Sequence, residues 1–277
     1  MKKRIIAIFL TISFLLGLCA CSKTGKESSF SIMFIDVGQG DSALVECDGH
    51  YMLIDGGDKA HGDKVYNVLA EKGITTLDYL VISHLHTDHY GGLIKALSYA
   101  QTIGKTLCNE DYADTKEFRD FEHQLSINKS KITIPRAGEK FPLGSAEIEI
   151  VDASTLEQND SIVLLITYGK TRFLFTGDIG ENAQRRVFQK YPNGAEKPLK
   201  IDLMKMPHHG AEVLILFVQT FMPEYAVISV GQNNYGHPNQ RTLEMLDQAD
   251  VKVYRTDQNG DIIVKSDGRK LKIETSR

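Results

Sequence analysis

His84-Leu85-His86-Thr87-Asp88-His89-Tyr90-Gly91-Gly92 places three imidazoles and a carboxylate within six positions and closes on two glycines. The apolar run "LDYLVIS" (77–83) leads into it at strand length, and "GGLIKALSYA" (91–100) leaves it with helical spacing. Side chains alternate along an extended chain, so His84 and His86 can point the same way and share one metal ion. Asp88 and His89 follow as the chain turns toward the helix, within reach of a neighbouring site. Gly91 and Gly92 are read as permitting a tight turn. A lone histidine is usually a polar residue with a partner. A cluster of four ligand-capable groups ending an apolar strand supports two metals side by side. Imidazole and carboxylate suit zinc, manganese or iron better than calcium.

Outward from the cluster, strands and helices alternate. "SIMFIDVGQGDSALVECDGHYMLIDGG" (31–57) reads as short strands joined by glycine turns, and "GDKVYNVLAEKG" (62–73) as a helix with a glycine stop. A polar helix is expected around 114–125, with His123 on its surface. "SAEIEIVDA" (145–153) is strand-like, and "SIVLLITYGKTRFLFTGD" (161–178) is a hairpin turning at Tyr168-Gly169-Lys170. "ENAQRRVFQKY" (181–191) and "NQRTLEMLDQA" (239–249) read as helices. "KIDLMKMPHHG" (200–210) is a strand delivering His208 and His209. "YAVISVG" (225–231), "VKVYRT" (251–256) and "DIIVKS" (261–266) complete the strands, with "DQNG" (257–260) as a turn. Each half carries a hairpin that ends in a carboxylate and glycine. Two such halves imply two sheets packed face to face with helices outside.

The 277 residues are 42% hydrophobic and 25% charged, an ordinary globular composition. Lys2, Lys3 and Arg4 precede an apolar run from Ile5 to Leu18, too short for a comfortable span and shaped like an export signal. It ends in Leu18-Cys19-Ala20-Cys21, which resembles a bacterial lipobox with Cys21 as the lipidated residue. The expected organisation is a signal peptide over 1–20, a small polar tether over 21–29 and a single domain over 30–277, held to the outer face of the cytoplasmic membrane. Cleavage before Cys21 would remove three cations and no acidic residue, taking the net charge from −4 to −7. That excludes a protein that grips nucleic acid by bulk charge. Cys47 and Cys108 then allow either one disulfide or two free thiols.

His84-Leu-His86-Thr-Asp88-His89 resembles the HxHxDH signature of the metallo-β-lactamase superfamily, whose fold is an αββα sandwich. "FIDVGQGDS", "LIDGG", "NDSIVLL", "FLFTGD", "KMPHHG", "VISVGQNNYGHP" and "YRTDQNG" together resemble the hydrolase domain of ComEC-type competence proteins. The resemblance implies that His84 and His86 hold a first metal, Asp88 and His89 a second, and that Asp178 bridges them. Many superfamily members place a further histidine between signature and bridge. Here that stretch is Gln158-Asn159-Asp160-Ser161, and Asp160, with Asn159 as alternate, takes the place. Of the two adjacent histidines, His208 is expected as the second metal's ligand and His209 behind it. His237 is a ligand, a proton donor to the leaving oxygen, or a phosphate contact. Asp55 orients a ligand imidazole from behind. Gln39, Asp41 and Ser42 line the site or simply form a tight interstrand turn.

Two metals about 4 Å apart share a bridging water and lower its pKa toward neutrality, which suits attack on a phosphodiester. Asp88 therefore counts as a catalytic group as well as a ligand. The resemblance implies an extracytoplasmic nuclease or phosphodiesterase carrying two zinc or manganese ions. One departure matters: ComEC-like sequences continue "HHG" with hydroxyl residues, whereas here Ala211-Glu212-Val213-Leu214-Ile215-Leu216 follows. That leaves open hydrolysis of another cell-surface phosphodiester or ester, or a lipoprotein that binds DNA or a cell-wall ligand without cleaving it.

Overall fold

The structure is a computed structural model that describes residues 29–191 and 199–277. The export signal, Cys21 and the tether up to residue 28 lie outside the described residues. Among those described, no helix is long and apolar enough to cross a membrane.

The first half supplies β1 (Phe30–Phe34), β2 (Ala43–Cys47), β3 (His50–Ile54), α1 (Gly62–Glu71), β4 (Thr76–Ile82), α2 (Thr87–Tyr90), α3 (Leu93–Ala96), β5 (Thr102–Cys108), α4 (Lys116–Ile127) and β6 (Ile132–Thr133). The second supplies β7 (Lys140–Leu143), β8 (Ala146–Asp152), β9 (Val163–Tyr168), β10 (Thr171–Phe175), α5 (Glu181–Gln189), β11 (Leu203–Lys205), α6 (Ile215–Phe221), β12 (Tyr225–Ile228), α7 (Gln240–Gln248) and β13 (Lys252–Arg255). Then α8 (Thr256–Asn259), β14 (Ile262–Ser266) and β15 (Leu271–Thr275) complete the chain. One sheet runs β15-β14-β1-β2-β3-β4-β5-β6, the other β13-β12-β11-β10-β9-β8-β7.

The two sheets face each other across an apolar layer, and helices cover both outer faces, giving an αββα sandwich. Phe30, Ile32 and Phe34 alternate along β1 toward the opposite sheet. The Phe30 ring stacks on Phe173 at 4.9 Å, and Phe34 on Phe175 at 5.5 Å, so aromatic rungs cross the interface. Burying each such side chain is worth roughly 1.5–3 kcal/mol. On the outer faces, α4 shows the local logic. Thr115 caps it by accepting from Phe118 N at 3.0 Å, and Phe118, Phe121 and Leu125 form the buried stripe.

The turn at "DQNG" joins two sheets rather than two paired strands: β13 and β14 belong to different sheets, and α8 carries the chain between them. A further edge strand, β15, follows, pairing antiparallel with β14. Gly91 and Gly92 do not serve a special turn. Both have right-handed helical torsions, and a Cβ on Gly92 would sit 2.1 Å from the Gly56 carbonyl oxygen. They are needed for close approach of two backbones. Cys47 and Cys108 are buried free thiols, and burial pushes Cys108 up to about 12.

Candidate metal centre

Strand ends from both sheets meet at one rim. β3 ends just before Asp55, β4 just before the histidine cluster, β10 before Asp178, and β11 before His208 and His209. β10 and β11 are adjacent and parallel, which brings Asp178 and His209 together. The sheets are tied here by Ile162 N donating to Ser83 O at 2.8 Å.

Four groups converge beneath the opening. His89 Nε2 lies 3.2 Å from Asp178 Oδ2, and His209 Nε2 lies 3.4 Å from the same oxygen. Asp88 Oδ2 is 3.3 Å from His209 Nε2 and 3.8 Å from His89 Nε2. Ligand atoms of a tetrahedral site with bonds of ~2.1 Å sit roughly 3.4 Å apart, which is this spacing. Both Nε2 atoms are buried, yet neither makes a hydrogen bond; Asp178 Oδ1 is likewise unpartnered. Buried polar atoms are rarely left so. With Asp88 these side chains form one group whose ligand atoms all lie within 4.8 Å of one another, so the residues fit a divalent cation. His84 Nε2 and His86 Nδ1 lie beside this group, hydrogen-bonded to each other at 2.8 Å.

The supports behind these atoms are specific. Asp55 Oδ2 is 3.0 Å from His89 Nδ1, while its Oδ1 accepts from Ser83 N at 2.7 Å. His209 Nδ1 is 2.8 Å from Ser229 O. Ser83 Oγ and Ser161 Oγ lie 3.1 and 3.4 Å from His84 Nδ1, and Ser161 Oγ also accepts from Asp178 N at 3.0 Å. His84, His89 and His209 are thus held from behind, which fixes which nitrogen faces the centre.

The charge balance follows. Burial raises Asp178, but His209 and His89 beside it more than offset that and hold its carboxyl well below the usual range. Burial lowers His89, but Asp178 and Asp55 overcome it and raise this imidazole well above its ordinary value. His209 behaves alike through Asp178. Burial and the neighbouring His89 hold His84 well below the ordinary imidazole value.

Two expected ligands, His208 and Asp160, stand outside the four-group cluster. The imidazole in the four-group cluster is His209, which is buried, whereas His208 is 34% exposed with its Nε2 3.8 Å from Asp178 Oδ2. Strand alternation fails here because both residues adopt left-handed torsions, φ 47° and 54°. Such backbone costs roughly 1–2 kcal/mol per residue. Asp160 is not brought to the centre. Its Oδ2 accepts from Leu156 N and Glu157 N, and its Oδ1 meets Arg186 at 2.5 Å. Asn159 lines the cleft instead. His237 also lines the cleft, its Nδ1 buried without a partner and its ring 5.1 Å from that of His208. Gln39 faces the same cleft, and Ser42 Oγ donates to Asp55 O at 3.3 Å. His123 is exposed on α4.

Lys205 is a member of the site that the sequence reading passed over. Fully buried on β11, its Nζ contacts Asp41 Oδ2 and lies 3.8 Å from Asp178 Oδ1. Asp41 Oδ1 is in turn 3.4 Å from His209 Nδ1. Burial lowers the ammonium, but the Asp41 carboxylate more than restores it. The signal was present: a lysine inside the apolar run "LMKMP" is expensive unless a carboxylate meets it.

The metallo-beta-lactamase superfamily matches residues 35–216, a span containing His84, His86, Asp88, His89, Asp178 and His209. ComE operon protein 3 of Bacillus subtilis (strain 168) is 29% identical over 281 residues, covering 91% of this chain and 34% of that protein. Competence protein ComA of Neisseria gonorrhoeae is 27% identical over 242 residues, covering 84% of this chain and 32% of that protein. The chain therefore spans about a third of the length of these curated relatives. Among solved structures, the metallo-beta-lactamase fold protein YhfI from Bacillus subtilis superposes with a TM-score of 0.55 at 15% identity, covering 83% of this chain and 98% of that one. That likeness is one of fold.

Proposed function

Because the chain belongs to the metallo-beta-lactamase superfamily, we propose that it is a metal-dependent hydrolase, and within that class a nuclease or phosphodiesterase acting outside the cytoplasm. The carrying observation is the pair of buried, unpartnered atoms His89 Nε2 and His209 Nε2, converging on Asp178 Oδ2 under an open cleft. In this reading His84 and His86 hold one divalent ion, and Asp88, His89 and His209 the other. Asp178 serves both, and the ions are zinc or manganese. When bound, such ions supply Lewis acidity and a water acidic enough to act at neutral pH.

The chain's own groups do the rest. Asp55 keeps His89 turned so that Nε2 faces inward. Lys205 balances Asp41 and Asp178 beneath the floor. His208 and His237 stand at the opening, and burial lowers both below the ordinary imidazole value. As neutral imidazoles each can donate one N–H to a phosphate oxygen or to the departing oxygen. The two curated relatives, one named a competence protein, agree with the sequence resemblance on which the nucleic-acid substrate rests; export and lipid anchoring at Cys21 rest on the sequence motif.

The test is cleavage of single-stranded DNA, duplex DNA, RNA and bis-p-nitrophenyl phosphate with Mn²⁺, Zn²⁺ or chelator, alongside Asp178→Ala. Metal-dependent DNA cleavage lost in the variant supports the nuclease reading. Turnover of none of these substrates by metal-loaded protein removes it.

A second reading, hydrolysis of another cell-surface phosphodiester, is favoured by one feature: the stretch from Ala211 to Leu216, directly after His209 and Gly210, carries no hydroxyl side chain. Cleavage of a teichoic-acid-type polymer in preference to DNA would select it. Retained affinity for DNA with no turnover would instead mark a binding lipoprotein.

A further inference from the structure

The wall of the cleft above the metal centre is mostly amides and rings, with the Asp58 carboxylate among them. Gln39, Gln158, Asn159, Gln232 and Asn234 face it, and among the described residues no lysine or arginine does. A nucleic-acid backbone beyond the reacting phosphate would find no ammonium or guanidinium to neutralise it there. Affinity must come from elsewhere on the substrate.

Tyr235 supplies a surface for it. The residue is 78% exposed at the cleft wall, the most exposed large hydrophobic residue among those described. Its ring stacks against His237 at 5.7 Å and 29°, and the His237 ring meets that of His208 edge-on at 5.1 Å, so three rings run along the opening. The loop that carries it is held by Asn233. Its Nδ2 donates to Gly231 O and His237 O at 2.9 and 2.8 Å, and its Oδ1 accepts from Tyr235 N and His237 N, both at 3.1 Å. All four hydrogen-bonding capacities of that amide are used to fix one loop. An exposed aromatic ring on a braced loop loses little conformational freedom on binding.

Resting on the phosphodiesterase reading, we propose that Tyr235 is the stacking platform for one unpaired nucleobase adjoining the scissile phosphate, making the site selective for single strands or frayed ends. A base inside a duplex has both faces covered and cannot use the ring; a splayed base can. The amides around it offer donors and acceptors to base edges. With few cationic contacts, affinity falls only shallowly with added salt.

The full chain, loaded with Mn²⁺, is given two single-stranded oligonucleotides of equal length, one of thymidines and one of tetrahydrofuran abasic residues. The thymidine oligonucleotide is expected to be preferred. Tyr235→Ala raises its KM by roughly tenfold with kcat little changed. The penalty is confined to the base-bearing strand, and Tyr235→Phe restores the parent value. A 2-aminopurine beside the cleaved linkage loses fluorescence on the parent and not on Tyr235→Ala. Equal effects of Tyr235→Ala on both oligonucleotides, or none on either, overturn the stacking role. If the parent cleaves both strands equally well, the nuclease reading stands and stacking falls. If it cleaves neither while hydrolysing bis-p-nitrophenyl phosphate, both fall together.

Discussion

Asp55 Oδ2 lies 3.0 Å from Nδ1 of His89, and this contact turns the opposite nitrogen of His89 toward Asp178. The carboxylate lies outside the Asp88, His89, Asp178 and His209 cluster, yet it fixes which face of the imidazole is presented there. Asp55→Asn should therefore weaken metal binding by about 10–100-fold while leaving the fold intact. Competition with a chromophoric chelator measures this; unchanged affinity would show that His89 needs no such partner.

The two neighbouring histidines should separate cleanly. His209→Ala removes a member of the four-group cluster, so metal content measured by plasma mass spectrometry should fall from two ions per chain toward one. His208→Ala should keep both ions and lose turnover only. Equal metal loss in the two variants would refute the assignment made from burial and distance.

Much of this site could be read directly from the sequence, and the limits have physical causes. His84, His86, Asp88 and His89 are consecutive in a strand-to-helix junction, so local periodicity alone predicts which side chains cluster. Asp178 ends a recognisable hairpin. The choice between His208 and His209 turns on left-handed torsions that no residue pattern announces in a Pro-His-His-Gly run. The pairing of Asp160 with Arg186 joins positions 26 residues apart, one of them on α5, so no local pattern shows it. β15 was missed because "LKIET" is a half-exposed edge strand with charges interleaved. The two-sheet sandwich itself follows from the paired hairpins, since each apolar face needs a partner.

Lys205 offers a test of the buried charge network. Lys205→Met leaves Asp41 buried without its cation and should destabilise the protein by about 3–5 kcal/mol. Adding Asp41→Asn to the same chain should recover a good part of that loss. Thermal unfolding in the presence of chelator reads both. A single variant as stable as the parent would mean that Asp41 is satisfied by the histidines alone.

Metal affinity should depend on pH in a definite direction. His89 and His209 are raised above the ordinary imidazole value, so both hold protons near neutrality unless a cation displaces them. Binding must release those protons, and affinity should fall as pH drops from 8 to 6. Calorimetry in buffers of different ionisation enthalpy counts the protons. Zero release at pH 7 would contradict the charge balance described here.

One converging cluster is expected both to bind divalent metal and to carry hydrolysis of a phosphodiester. The most direct measurement takes parent and Asp178→Ala through metal counting and bis-p-nitrophenyl phosphate turnover on the same samples. The account predicts two ions and metal-dependent turnover in the parent, with loss of bound metal and a drop of more than about a hundredfold in the variant, beyond the range of an outer partner. Turnover that survives Asp178→Ala, or a parent that binds two ions and hydrolyses no phosphodiester, would contradict it.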